Sequence, residues 1–178
     1  MFYTNDEINN GIKKMSYDIE RYCKEHDIKD LHIMGISKAC FPFMMELMKS
    51  LHTLCSEFDF IDAKSYVGTD QKDVVEIKYC SCDPSRLKDK YILLIDTVWD
   101  SGKTLSAVYD YLEGCMVTDV MYAILINKLR KKVPIIGRKF IAFECSADKF
   151  IVGYGLDYNQ KYRNLINIYD YEEECFGE

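Results

Sequence analysis

Tyr91-Ile92-Leu93-Leu94-Ile95 is a continuous apolar run that passes without a break into Asp96-Thr97-Val98-Trp99-Asp100-Ser101-Gly102-Lys103-Thr104. A stretch that is apolar at every position is buried on both faces, as a central strand of a parallel sheet is. Beyond the polar turn, Leu105, Val108, Leu112 and Cys115 recur at helical spacing. A strand feeding a helix through a short turn commits the chain to a layered α/β fold.

The flanking segments agree with that choice. Residues 4–26 read as a helix, with Thr4 and Glu7 in capping-box spacing and Ile8, Ile12, Met15 and Ile19 on one face. Residues 31–36 form a short apolar run consistent with a buried strand, and 42–54 read as a helix whose Met44, Met45, Met48 and Leu51 face a core. Strand-like patterns recur at 58–66, 74–79, 121–126 and 139–143, with a polar segment at 68–72. Alternating strands and helices predict a mostly parallel sheet flanked by helices. No linker, repeat or low-complexity stretch divides the 178 residues, which predicts one domain over 1–178, its core at about 4–170 and a short acidic tail after it.

Charge and cysteine usage narrow the function classes. Lys and Arg number 23 against 29 Asp and Glu, a net charge of −6 that suits no protein coating a phosphodiester backbone. No apolar run approaches the roughly 18 residues of a membrane span, and Met1 to Glu7 has no basic stretch leading into an apolar one. The expectation is a soluble cytoplasmic protein without nucleic-acid or membrane partners. Eight cysteines stand at 23, 40, 55, 80, 82, 115, 145 and 175; none forms Cys-x-x-Cys, and no histidine follows His52. Ordinary thiols are expected rather than a zinc set, and His32, inside an apolar run, reads as a core residue.

Ligands of an open parallel sheet bind beyond the carboxyl ends of its strands, where residues 96–104 lie. A loop entering a helix N-terminus offers unpaired N–H groups and a positive dipole end to a phosphate, and Ser101 and Thr104 add hydroxyls. Asp96 and Asp100 would repel that anion unless they hold Mg²⁺, hold sugar hydroxyls or move a proton. Gly102-Lys103-Thr104 looks like the end of a P-loop, but the earlier glycine that loop needs is Thr97 here, so that reading fails. No Gly-x-Gly-x-x-Gly is present either.

The stretch from Ile92 to Leu105 resembles the phosphoribosyl pyrophosphate signature of type I phosphoribosyltransferases. Asp148-Lys149-Phe150-Ile151-Val152-Gly153-Tyr154-Gly155-Leu156-Asp157-Tyr158-Asn159 with Tyr162-Arg163-Asn164-Leu165 resembles the hypoxanthine-guanine branch. Gly35-Ile36-Ser37-Lys38 is similar to that family's pyrophosphate loop and Ser65-Tyr66 to its mobile loop. The resemblance implies the type I fold, a central mostly parallel sheet with a small hood and a mobile loop. It implies transfer of a phosphoribosyl group from phosphoribosyl pyrophosphate to N9 of a 6-oxopurine with Mg²⁺ present, by a homodimer or homotetramer.

By the same resemblance, Lys38, Asp96, Thr97, Asp100, Ser101, Gly102, Lys103, Thr104 and Arg163 would bind phosphoribosyl pyrophosphate. Asp96 and Asp157 would hold the metal, and Asp100 would be the acid/base near purine N7. Val98, Lys128, Phe150, Ile151 and Asp157 would form the purine site, with Phe150 stacking and Lys128 donating to the 6-oxygen. Ser65 and Tyr66 would close over them. The chain departs from the family pattern at Thr97, in place of a second acid, at Trp99, in place of a small aliphatic residue, and at Ala39-Cys40, in place of a glycine pair. Asn127 is a further difference. Two other readings stand beside this one: a transferase of the same fold for another nucleobase, and a noncatalytic nucleotide-binding regulator.

Overall fold

The computed structural model describes residues 1–54, 57–67 and 73–172, apart from the side chains of 64–67 and 73–74. The chain runs α1 (Asn5–Glu25), β1 (His32–Ile36), α2 (Phe41–Ser50), β2 (Phe58–Val67), β3 (Asp73–Cys80), a 3₁₀ turn (Pro84–Leu87), β4 (Tyr91–Trp99), α3 (Lys103–Gly114), β5 (Asp119–Leu129), β6 (Lys139–Ser146), β7 (Ile151–Val152) and β8 (Tyr169–Asp170). The capping box at Thr4 forms: its side chain accepts from Glu7 N, and Thr4 N donates to Glu7 Oε2 at 2.8 Å.

Six strands make one sheet in the order β3-β2-β1-β4-β5-β6. All neighbours are parallel except β3, which returns antiparallel to β2. The expected α/β fold with a mostly parallel sheet is present. β7 and β8 form a separate antiparallel pair above the strand ends, and Phe2 and Tyr3 donate to Ile168 O beside it, tying the N-terminus to this small hood.

β4 lies at the sheet centre, paired with β1 and β5 on its two sides. Its alternation explains why the run is apolar throughout. Leu93 and Ile95 join the core beneath α1 and α2, while Ile92 and Leu94 join the core beneath α3. Each fully buried aliphatic contributes about 1.5–3 kcal/mol of transfer free energy, so the helical layers are held chiefly through this strand and β5. Among the described residues, no helix is long and apolar enough to cross a membrane.

Leu94 stands opposite Met34 on one side and Tyr122 on the other, and all three are fully buried. Leu94→Ala should therefore cost about 2–5 kcal/mol in denaturant unfolding. A loss below about 1 kcal/mol would show that this face is not close-packed.

Candidate active site

β4 does not stop at Ile95. Its pairing with β5 continues through Asp96↔Ile124, Val98↔Ile126 and Trp99↔Asn127. Four residues expected in a loop are therefore strand, and the turn shrinks to Asp100, Ser101 and Gly102. The side-chain alternation slips within the extension, because Val98 packs with the α1/α2 core and Trp99 with the α3 core.

That slip decides what Thr97 can do. Its side chain is fully buried and its hydroxyl makes no hydrogen bond. What Thr97 has beside the site is its backbone amide, which donates to the Asp96 carboxylate. Val98 N donates to the same carboxylate. Burial nevertheless dominates and pushes the Asp96 carboxyl up to about 7.

The turn ends at Gly102, which precedes α3 with φ +81°. A β-carbon there would lie 2.7 Å from Val133 O, so the position needs glycine for its conformation and its clearance. No side chain caps α3. Its first-turn amides and the positive end of its dipole are left facing a small cavity of about 60 Å³ lined by Asp96, Val98, Asp100, Ser101, Gly102 and Thr104. Lys103, the first residue of the helix, is exposed.

A neighbouring cavity of about 240 Å³ is lined by Val98, Asp100, Lys128, Phe150, Ile151, Leu156 and Asp157. All five residues expected around a purine are in that wall. Phe150 is 41% exposed, so its ring is open to the cavity rather than packed in the core. Its ring meets the rings of Tyr158 and Tyr171 edge-on, each at 5.8 Å. Lys128 reaches Asp100 Oδ2 at 3.4 Å from the end of β5.

Asp100 has a second cation, Arg130, whose Nη1 donates to Oδ1 at 2.8 Å. Arg130 was missed in the sequence, where it stands unmarked beside Lys131 and Lys132. The turn they occupy explains Trp99. Lys132 stands over the indole at 5.0 Å and donates to Lys128 O, and Val133 N donates to Ser101 O at 2.9 Å. The 128–133 turn is thus fastened to the 100–102 turn through Trp99.

Lys38 and Arg163 share a third cavity, about 580 Å³, with Ser37, Phe41, Pro42, Phe60, Gly155 and Asn164. The Ser37–Lys38 peptide bond is cis, with Ala39 and Cys40 following it. Arg163 pairs with Asp157 at 2.6 Å and donates to Gly155 O, and Gln160 N donates to Asp157 Oδ2. Ser65 and Tyr66, expected in a mobile loop, are strand residues paired with Val75 and Val74; their side chains and the tip at 68–72 lie outside the described residues.

The phosphoribosyl transferase domain model matches residues 1–159. The chain is 32% identical over 175 residues to the hypoxanthine-guanine phosphoribosyltransferase of Streptococcus pneumoniae, covering 98% of this chain and 93% of that protein. The Staphylococcus epidermidis enzyme of the same name is 32% identical over 168 residues, 90% of this chain and 92% of its own. The chain belongs to the hypoxanthine-guanine phosphoribosyltransferase family. A hypoxanthine phosphoribosyltransferase structure from Staphylococcus aureus superposes with a TM-score of 0.84 at 28% identity, covering 100% of this chain and 94% of that one. The architecture expected of a type I phosphoribosyltransferase, sheet and hood included, is therefore the observed one.

Asp96 supplies a pH prediction. Its folded value, about 7, lies above the usual 3.8, so ionisation is harder in the folded chain. The folded state loses stability as pH rises through that window and levels off above it. Asp96→Asn removes the loss. The ligand-free variant should match the parent near pH 4 and exceed it by about 4 kcal/mol, roughly ten degrees in Tm, above pH 7. Equal Tm values at both pH values would overturn the assignment.

Proposed function

We propose that this phosphoribosyltransferase joins the 5-phosphoribosyl group of phosphoribosyl pyrophosphate to N9 of a 6-oxopurine such as hypoxanthine or guanine, releasing pyrophosphate. The observation that carries the reading is the 240 Å³ cavity, which puts an open aromatic ring, an ammonium and two carboxylates beside an uncapped helix start. Family membership and relatives named for hypoxanthine and guanine support it.

In this reading Phe150 stacks on one face of the base and Val98 closes the other. Lys128 donates to the 6-oxygen. An ammonium has donors only, so it selects an oxo group over the amino group of adenine. Asp100 holds Lys128 in place and takes or returns the proton at purine N7. The α3 amides with Ser101 and Thr104 hold the 5′-phosphate. Lys38 and Arg163 face the departing pyrophosphate, whose negative charge grows as its bond to the ribose breaks.

The residues fit Mg²⁺. Asp96 is a carboxylate whose burial opposes its charge, and no side chain among the described residues ion-pairs with it. Asp157 offers a second oxygen by releasing Arg163. When bound, Mg²⁺ supplies charge neutralisation for the pyrophosphate. Because a polyphosphate ester does not cross a bilayer unaided, the reading places the reaction in the cytoplasm. Phe41 and Phe58, 56% and 49% exposed, give apolar surface that an assembly of two or four copies would cover.

Nucleotide formation from phosphoribosyl pyrophosphate, with and without Mg²⁺, tests the reading across hypoxanthine, guanine, xanthine, adenine and nicotinic acid. Mg²⁺-dependent product from 6-oxopurines alone is expected. Turnover of only adenine, nicotinic acid or a pyrimidine would replace it with another base, and nucleotide binding without turnover would replace it with a regulator.

Two variants refine the roles. Asp100→Asn should lower kcat by about 10²–10⁴-fold with little change in nucleotide affinity; unchanged kcat would remove the proton-transfer role. Lys128→Gln should cut kcat/KM for 6-oxopurines by roughly 10–100-fold, the worth of a charge-assisted hydrogen bond. An unaltered base preference would show that Lys128 does not read the 6-position.

A further inference from the structure

At the end of the sheet opposite the phosphate cradle, three potential metal-ligating side chains, those of His32, Asp59 and Cys82, converge, and Cys80 stands beside Cys82. His32 opens β1, Asp59 lies near the start of β2, Cys80 ends β3 and Cys82 follows it. The ligand atoms of His32, Asp59 and Cys82 lie within 4.8 Å of one another. Cys80 Sγ is 3.7 Å from Cys82 Sγ. His32 Nε2 is 3.2 Å from Asp59 Oδ2.

Those two separations can be compared with the edges of a tetrahedron. Zinc–sulfur bonds of about 2.3 Å at the tetrahedral angle place two thiolates about 3.8 Å apart. Zinc–nitrogen and zinc–oxygen bonds of about 2.05 Å place their atoms about 3.3 Å apart. Both observed pairs are within about 0.1 Å of the corresponding edge. An N, O, S, S donor set suits zinc over a hard cation such as Mg²⁺.

The histidine is the second, independent sign. His32 is 1% exposed, and neither ring nitrogen makes a hydrogen bond. Leaving a buried polar group unsatisfied costs about 1–3 kcal/mol, and coordination satisfies Nε2 directly. The surroundings have the form of an outer shell. Glu57 Oε2 lies 3.7 Å from His32 Nδ1 and is itself held by Arg86 at 3.1 Å, so it stands where a carboxylate orients a ligating imidazole. Ser81 Oγ donates to Asp59 Oδ1, leaving Oδ2 turned to the histidine. Phe60 N donates to Ser81 Oγ at 2.8 Å and fixes that hydroxyl in turn.

We propose that His32, Asp59 and Cys82 form a structural zinc site, completed by a turn of the neighbouring Cys80 thiol, that ties β1, β2 and β3 together at the base of the β2–β3 hairpin. Binding replaces the two S–H bonds with two Zn–S bonds and releases two protons to solvent, with no redox change. β1 spans roughly 17 Å at 3.3 Å per residue, and Lys38 follows its far end. The site is therefore remote from the phosphoribosyl cavity and is independent of the reading given for it.

The test is a titration of the reduced full-length protein with Co²⁺, then Zn²⁺. Expected are one equivalent of tetrahedral cobalt with thiolate-to-cobalt charge transfer, displacement by zinc, and a Tm raised by several degrees. Cys80→Ser removes a partly exposed ligand and Glu57→Gln alters only the exposed outer-shell carboxylate, so both should fold without metal. Glu57→Gln should weaken zinc binding by about 10–100-fold and Cys80→Ser by more, while Asp100→Asn should bind cobalt as the parent does. Absence of charge transfer at one equivalent would overturn the proposal. So would an octahedral spectrum, which would put the metal on carboxylates elsewhere, or a charge-transfer band unchanged in Cys80→Ser. Equal thiol reactivity of Cys80 and Cys82 with and without zinc would overturn it as well.

Discussion

Asp100 meets two cations, Lys128 at the end of β5 and Arg130 just beyond it, and the base cavity and the turn into α3 are arranged around that contact. The turn at 128–133 reaches it because β5 runs on beside the extended β4 as far as Leu129. Val133 N on Ser101 O and Lys132 over Trp99 then hold the turn against the phosphate cradle. Surface ion pairs contribute little in general, but Lys128 is mostly buried here. The main-chain and cation–π contacts fix the geometry in which its pairing with Asp100 acts. Trp99 is thus the anchor of a clamp, a role for which a small aliphatic residue would be too short.

The same strand carries an opposing energy. Asp96 is placed where burial disfavours its charge, with only two backbone amides in compensation. A fold built for stability alone would place an amide or an apolar residue there. In the function proposed here, the cost persists because β4 holds the carboxylate at the floor of the cradle, where a ligand carrying hydroxyls or a cation would relieve it. Stability and site chemistry therefore pull against one another within one side chain.

Much of this was legible from contiguous residues. The apolar run 91–95, the turn ending at Gly102 and the helix after it have local signatures, and a local signature needs only neighbours a few residues away. Phe150, Ile151 and Asp157 were legible only as part of an ordered resemblance, and Phe150 alone would have passed for a core aromatic. Thr97 reads as a ligand from its place in an acidic strand end, and only the alternation of β4 shows that its side chain is buried. Arg130 carries no signal of its own, hidden among Lys131 and Lys132. His32, read as a core residue, and Cys82, read as an ordinary thiol, lie against each other across strands whose order no spacing rule reveals.

The sequence by itself determined the layered α/β class, the strand–turn–helix at 91–114 and the chemistry that turn can offer, because each depends on periodicity and on backbone demands such as the positive φ of Gly102. Tertiary structure decided which face Thr97 takes, which cations meet Asp100, and that His32 lies beside Asp59 and Cys82. Those outcomes depend on register between strands and turns tens of residues apart. A shift of one residue in β4 would exchange its two faces, so only the packed sheet, with both cores filled, selects among them.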